Sequence, residues 1–326
     1  MYRFTSNEIE TINKCPICNS PDSKEVFINV KDWSFNVIDG LWCYHKCRKC
    51  KGLYLKDRPK QEFIYKAYED YYTHSSGNKP SFIYKLENEI LCHWLGIDLD
   101  FRLNSKLSLF FKFLKPILLH RYPLERIINL PVGRVLDVGC GNGRTLEILK
   151  NMGWDVYGIE MDRKAIAAAN KKGVFVKEGL YEVANDFDFK FDCAIVSHVI
   201  EHTYNPEDFI KTLLNCTKDK GLLFISYPNP NSIMIKLFQK YWRGLEAPRH
   251  IQIPSIQWIE DFSDQLNCSS KQSTSSITTF WGSFAILCSK FSSLGRVLGK
   301  LLQILPTFLI FKSSSDIVQI EIEKKG

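Results

Sequence analysis

The sequence predicts an α/β chain: a mostly parallel sheet with crossover helices and an antiparallel last strand, preceded by a small cysteine ribbon and a helical linker. Three observations carry that expectation. Two C-x-x-C pairs stand near the N-terminus. From about Arg126 the pattern strand, glycine turn, helix repeats, as it does when parallel strands are joined by helices. The final "SDIVQIEIEKK" alternates like a solvent-facing antiparallel strand.

The cysteines come first. Cys15-Pro-Ile-Cys18 and Cys47-Arg-Lys-Cys50 have 28 residues between them. Each pair presents two sulfurs on one side of a tight turn, and four thiolates so placed can close a tetrahedral Zn²⁺ site. Gly52 fits the turn of the second pair, and Cys43 and His45 stand near enough to replace one ligand. Four protein ligands leave no open position, so the expected zinc is structural. Residues 1–58 thus read as a zinc-ribbon-like domain.

Residues 59–125 are rich in Tyr, Phe, Leu and Lys, broken by "THSSGNKPS" (73–81), and read as a helical linker or lid. The cluster "YKAYEDYY" (65–72) either closes over a cofactor pocket or packs against the ribbon.

Residues 126–326 form the third segment. "RVLDVG" reads as a buried strand, "GRTLEILKNMG" as a helix stopped by Gly153, and "WDVYGIE" as the second strand. "DRKAIAAANKKG" is a helix with Asp162 as N-cap and Gly173 as its stop. "VFVKEG" and "FDCAIVS" are strands three and four. "NPEDFIKTLLNCTKDKG" is a helix capped by Asn205 with Pro206 in its first turn, and "LLFISYPNP" is the fifth strand.

Composition excludes little but excludes it firmly. Hydrophobic residues at 45% and charged residues at 24% suit a folded chain, not a disordered one. The net charge of +7 is compatible with an anionic substrate, an acidic membrane surface or RNA. The N-terminal "MYRFTSNEIE" lacks the pattern of a secretory signal, and "LLQILPTFLIF" (301–311) is too short to span a bilayer. The expectation is a cytoplasmic chain without a transmembrane segment. "KLSLFFKFLKPILLHR" (106–121) and "SSLGRVLGKLLQILPTFLIFK" (292–312) have the composition of a lid, or of helices resting peripherally on the inner membrane surface.

"VLDVGCGNG" sets Asp137, Gly139, Gly141 and Gly143 at a strand-to-helix turn, and Glu160 ends the next strand in "YGIEMD". Glycines there let a ligand approach the backbone, and a carboxylate there can accept both hydroxyls of a ribose. With "FDCAIVSHVIEH", "GLLFISYPNPNS" and "LEAPRHI" following in order, residues 130–255 resemble the class I S-adenosylmethionine-dependent methyltransferases, a Rossmann-like fold. The resemblance implies S-adenosyl-L-methionine as cofactor. The turn Gly139, Cys140, Gly141, Asn142, Gly143 would hold its methionine part and Glu160 its ribose. Met161 would lie against adenine, and Asp137 and Ser197 would complete the cofactor set. Many members have an acid where this chain has Leu180, so adenine recognition is expected to rest on backbone groups.

"SHVIEH" spells H-x-x-E-H, a pattern that metallopeptidases place on a helix. Here a strand runs into it and Asn205-Pro206 starts a helix just after it, leaving room for about one turn, so the peptidase reading fails. The stretch instead resembles the E-x-x-E-H of ubiquinone-pathway O-methyltransferases, in which two acids and a His hold a divalent ion. His198 stands where the first acid would be, which counts against Mg²⁺ and favours a histidine base. The candidate catalytic residues are His198, His202 and His250, with Glu201 as orienting partner. The reading is methyl transfer to a hydroxyl of a small-molecule, glycan or lipid-linked acceptor. The alternative is an RNA methyltransferase that grips RNA with its zinc ribbon. Against it, "SHVI" stands where amine-methylating enzymes usually carry N/D-P-P-Y/F.

Overall fold

A computed structural model describes residues 1–69, 82–100, 127–274, 280–289 and 316–325. The segments 106–121 and 292–312, and the polar break at 73–81, lie outside these residues.

The central sheet has strands β1 (Arg134–Val138), β2 (Asp155–Glu160), β3 (Phe175–Glu178), β4 (Phe191–Ser197), β5 (Thr217–Pro228), β6 (Cys268–Thr274) and β7 (Ile317–Lys324). They pair in the order β3-β2-β1-β4-β5-β7-β6. The pairs β3·β2, β2·β1 and β1·β4 are parallel, and the last strand is antiparallel. The predicted α/β, mostly parallel sheet with an antiparallel last strand is therefore the observed one. Val135, Leu136, Cys193, Ala194, Ile195 and Val196 are all buried, as strands covered on both faces require.

Two elements differ from the sequence reading. The helix begun at Pro206 ends at Cys216, not Gly221, and "TKDKG" already belongs to β5. Thr217 explains the stop: its hydroxyl donates to the Leu214 carbonyl at 2.9 Å, closing the last turn. Strand β7 is not solvent-facing. It lies between β5 and β6, and Ile317, Val318, Ile320, Glu321 and Ile322 are buried.

The chain divides into two compact units. One comprises Met1–Tyr71, His198–Ile210 and Ile225–Ile322. Its four-stranded ribbon sheet runs Gln252–Ile253, Leu53–Leu55, Trp42–Cys47, Ser23–Val30. Its edge strand therefore comes from far along the chain, with Gln252 opposite Tyr54 and Ile253 opposite Leu53. Buried Tyr44 reinforces this, its hydroxyl 2.6 Å from the His250 carbonyl and in contact with that of Leu245. Buried Arg249 pairs with Asp32 and Glu246 and stacks 4.8 Å from the Phe35 ring.

The other unit comprises Tyr72–Ser197, Lys211–Phe224 and Glu323–Gly326. Its core joins Val135, Leu146, Leu149, Ile195 and Phe224 to Ile90 and Leu91 of α1 (Phe82–Leu95). The helices that follow the first two strands, α2 (Arg144–Asn151) and α3 (Arg163–Lys171), pack closely enough that a Cβ on Gly143 would come within 2.8 Å of the Ala169 Cβ.

Candidate functional site: a carboxylate-bridged glycine turn and a histidine cluster

The turn after β1 adopts the conformation its glycines allow. Gly139, Gly141 and Gly143 have φ of 73°, 53° and 70°, a region that costs other residues energy. Gly139 and Cys140 both donate to the Ile159 carbonyl, at 2.8 and 3.2 Å, which ties the turn to β2. Glu160 then bridges the two loops. Its carboxylate accepts from the backbone N–H of Gly141 at 2.8 Å, of Met161 at 2.7 Å and of Asp162 at 3.0 Å. Met161, next to it in sequence, is exposed, as are Leu180 after β3 and Asn142 in the turn.

Asp137 is buried beneath this turn, and burial together with the Glu160 charge pushes its carboxyl from the ordinary 3.8 to about 8. A buried acid beneath a glycine turn, with a second acid bridging the turn, fits a ligand with cationic groups, such as the ammonium and sulfonium of S-adenosylmethionine. The sign of the effect follows. A raised carboxyl keeps its proton in the fold while the unfolded chain loses it, so Asp137 lowers stability progressively as pH rises from 3.8 to about 8. A cation bound nearby draws that pKa down. Cofactor binding at pH 7 is therefore expected to release a proton. Calorimetry in buffers of different ionisation enthalpy reads the release directly, and buffer-independent heats would refute it.

The stretch "SHVIEH" forms no helix beyond the 3₁₀ turn Ile200–His202. His198 follows Ser197, the last residue of β4, and sits at φ 57°, an uncommon conformation for a residue with a side chain. Its backbone N–H donates to the Ser226 carbonyl at 2.8 Å. Its side chain is 48% exposed, yet its Nδ1 lies 3.2 Å from Oε1 of fully buried Glu201. Burial alone would lower His198, but the hydrogen bond and charge of Glu201 outweigh it and raise the imidazole above its usual value. Glu201 answers in the opposite sense. Burial would raise its carboxyl, but the His198 bond and the charges of His198, His250 and His202 hold it near 2.

The other two histidines are built differently. His202 Nδ1 lies 3.0 Å from the Arg249 carbonyl and His250 Nδ1 lies 2.8 Å from the Gly244 carbonyl. A carbonyl only accepts, so both Nδ1 atoms carry the proton. Burial, then the charge of His250, lowers His202 to about 4. The two rings meet edge to face, centroids 4.7 Å apart.

Sequence reasoning missed four partners. Tyr68 sets its hydroxyl 3.0 Å from His202 Nδ1, and lay unresolved within the tyrosine cluster. Arg249 and Glu246 flank His250 in "LEAPRHI" and hold its loop. Asp32, which anchors Arg249, carried no signal, being 217 residues away.

The four paired cysteines come together as predicted. Cys15 and Cys50 sulfurs are 3.7 Å apart, Cys18 and Cys47 sulfurs 3.6 Å, and all four lie within 4.8 Å of one another. Sulfurs bound tetrahedrally at about 2.3 Å from one ion would stand about 3.8 Å apart, so the set fits zinc. The two knuckles fold alike, with Asn19 donating to Cys15 O at 2.8 Å and Lys51 to Cys47 O at 3.1 Å. The positive φ of the second knuckle falls on Lys51, at 61°, not on Gly52. Gly52 serves close packing, since a Cβ there would come within 2.5 Å of Ile17 and 3.1 Å of the Ile253 carbonyl. Cys43 and His45 group with Glu25 instead, Cys43 donating to its carboxylate at 3.3 Å.

Residues 111–269 match the model of a family described as "Methyltransferase domain". This segment is thus similar to methyltransferase domains. Among curated relatives, the ubiquinone biosynthesis O-methyltransferase of Dechloromonas aromatica is 30% identical over 115 residues, 33% of this chain and 50% of that protein. The one from Glaesserella parasuis is 33% identical over 107 residues, 29% of this chain and 45% of that protein. The chain thus spans about half the length of the curated relatives it matches. A solved structure from Thermotoga maritima, described as a SAM-dependent methyltransferase and possible histamine N-methyltransferase, is 20% identical with a TM-score of 0.46. The match covers 66% of this chain and 96% of that one.

Proposed function

We propose that the chain transfers a methyl group from S-adenosyl-L-methionine to a hydroxyl of a small-molecule, glycan or lipid-linked acceptor. The observation that carries this reading is the pairing of His198 with buried Glu201 immediately after β4, the neighbour of β1 in the sheet. Open α/β sheets take their ligands at these carboxyl strand ends. The O-methyltransferase relatives support the same acceptor chemistry.

In this reading the glycine turn and Glu160 hold the cofactor, which supplies an electrophilic methyl on a sulfonium. Glu201 fixes the His198 ring through Nδ1, leaving Nε2 to take the proton of the acceptor hydroxyl. A bound cofactor would supply that methyl for in-line transfer to the acceptor oxygen, with S-adenosylhomocysteine as the leaving product. His202 and His250, with Nδ1 committed to backbone carbonyls, are positioning groups. The Cys15, Cys18, Cys47, Cys50 set holds a structural zinc that shapes the ribbon of residues 1–58. Residues 59–125 act as lid or linker to the methyltransferase domain at 126–326. No described helix is long and apolar enough to cross a membrane. Our reading is a cytoplasmic chain whose apolar, basic segments 106–121 and 292–312 serve as a lid or as peripheral contacts at the inner membrane surface.

The test supplies purified protein with methyl-labelled S-adenosylmethionine and an extract of its own cells, then separates RNA, lipid-plus-glycan and small-molecule fractions. Label is expected outside RNA, and label in RNA would overturn the acceptor class. His198→Ala is expected to lower kcat roughly a hundredfold with cofactor affinity unchanged.

A further inference from the structure

We propose that Glu201, His202 and His250 hold a divalent transition metal through one carboxylate and two imidazoles. The likeness to E-x-x-E-H implies a hard, oxygen-bound ion such as Mg²⁺, and the residues present do not fit one. The first acid is His198, and its ring is turned to Glu201 through Nδ1 at 3.2 Å. Only one carboxylate remains, whereas Mg²⁺ takes oxygen ligands in near-octahedral geometry.

A different ligand set has assembled in its place. Glu201, His202 and His250 each bring one donor atom within 4.8 Å of the others. His250 is supplied by a separate loop, with its Nε2 3.9 Å from Glu201 Oε1. Both histidines donate Nδ1–H to a backbone carbonyl, of Arg249 and of Gly244, which leaves each Nε2 with a free lone pair. Metal-binding histidines are oriented by this kind of outer hydrogen bond. The carbonyls are themselves fixed, Arg249 by its buried pairs with Asp32 and Glu246.

The second observation is Glu201 itself. It is fully buried, and its Oε2 has no hydrogen-bond partner among the described residues. A buried carboxylate oxygen left bare is costly, and an ion there satisfies it. Two imidazoles and one carboxylate suit Zn²⁺, Fe²⁺ or Co²⁺ and leave positions open for an exogenous oxygen ligand. Such an ion polarises a bound hydroxyl or water. The ligand set stands whether or not methyl transfer is the activity.

The experiment titrates Co²⁺ into the full-length chain, freed of metal and kept reduced, with spectra and metal content read together. Two equivalents are expected. One should carry the strong thiolate-to-cobalt absorption of a four-cysteine site, the other only weak ligand-field bands. Glu201→Gln and His250→Gln should each lose the second equivalent and keep the first, while His198→Ala keeps both. Excess Mg²⁺ should displace neither. Wild-type protein that takes up no cobalt beyond the thiolate signal would overturn the proposal. So would a second equivalent that persists in both Glu201→Gln and His250→Gln. Cofactor binding is titrated separately on the same samples, so failure here is distinct from failure of the methyltransferase reading.

Discussion

Arg249→Met is expected to unfold the ribbon-bearing unit under conditions where the wild-type chain is folded. Arg249 is fully buried, its Nη1 is 3.3 Å from Asp32 Oδ2, and its Nε is 3.2 Å from Glu246 Oε1. It also donates to the Ala67 carbonyl at 3.3 Å. Methionine fills much of the volume but removes the cation that pairs with buried Asp32 and with Glu246. Removing one partner of a buried ion pair costs about 3–5 kcal/mol. That is a large share of the roughly 5–15 kcal/mol by which domains are stable. Urea denaturation followed by tryptophan fluorescence reports it, since Trp33, Trp42, Trp242 and Trp258 all lie in this unit. Adding Asp32→Asn to Arg249→Met should recover part of the loss. A loss below about 1 kcal/mol, the scale of a surface pair, would show that the cluster is hydrated and the argument wrong.

Glu160→Ala should weaken cofactor binding by roughly a hundredfold or more, because hydrogen bonds to a charged acceptor are worth about 1.5–3 kcal/mol each and a ribose offers two. The same change strips the acceptor from the N–H groups of Gly141, Met161 and Asp162, so the turn also loses one of its ties to β2. Glu160→Gln keeps one acceptor oxygen and should recover part of the affinity. Equilibrium titration with S-adenosylhomocysteine separates the three proteins. Equal affinity in all three would remove Glu160 from the site.

These expectations show what a sequence carries and what it withholds. Local chemistry was legible. Asp162 caps α3 by accepting from Lys164 N–H at 2.8 Å, and Asn205 accepts from Asp208 N–H at 3.1 Å. Gly153 and Gly173 take φ of 94° and 69° where helices stop. Each of these depends on neighbours a few residues away, so residue type and spacing suffice. The glycine turn and the paired cysteines were legible for the same reason, since their geometry is set within one short segment.

What was not legible depends on distant partners. Nothing in "HIQI" announces that Gln252 and Ile253 will complete the ribbon sheet beside Tyr54 and Leu53. Arg249 and Asp32 look like ordinary surface charges until folding buries them together. The histidines show the same limit. Sequence could collect His198, Glu201, His202 and His250, but it could not separate their roles. The division follows from which histidine turns its Nδ1 to a carboxylate and which turn it to a carbonyl.

The central claim is that this chain binds S-adenosylmethionine through the turn at Gly139–Gly143 and Glu160. Calorimetric titration of S-adenosylmethionine into the purified chain, with Glu160→Ala beside it, tests that claim most directly. The account predicts one-to-one binding by the wild type and its loss in the variant. Folded wild-type protein that takes up no cofactor at millimolar concentration would contradict it.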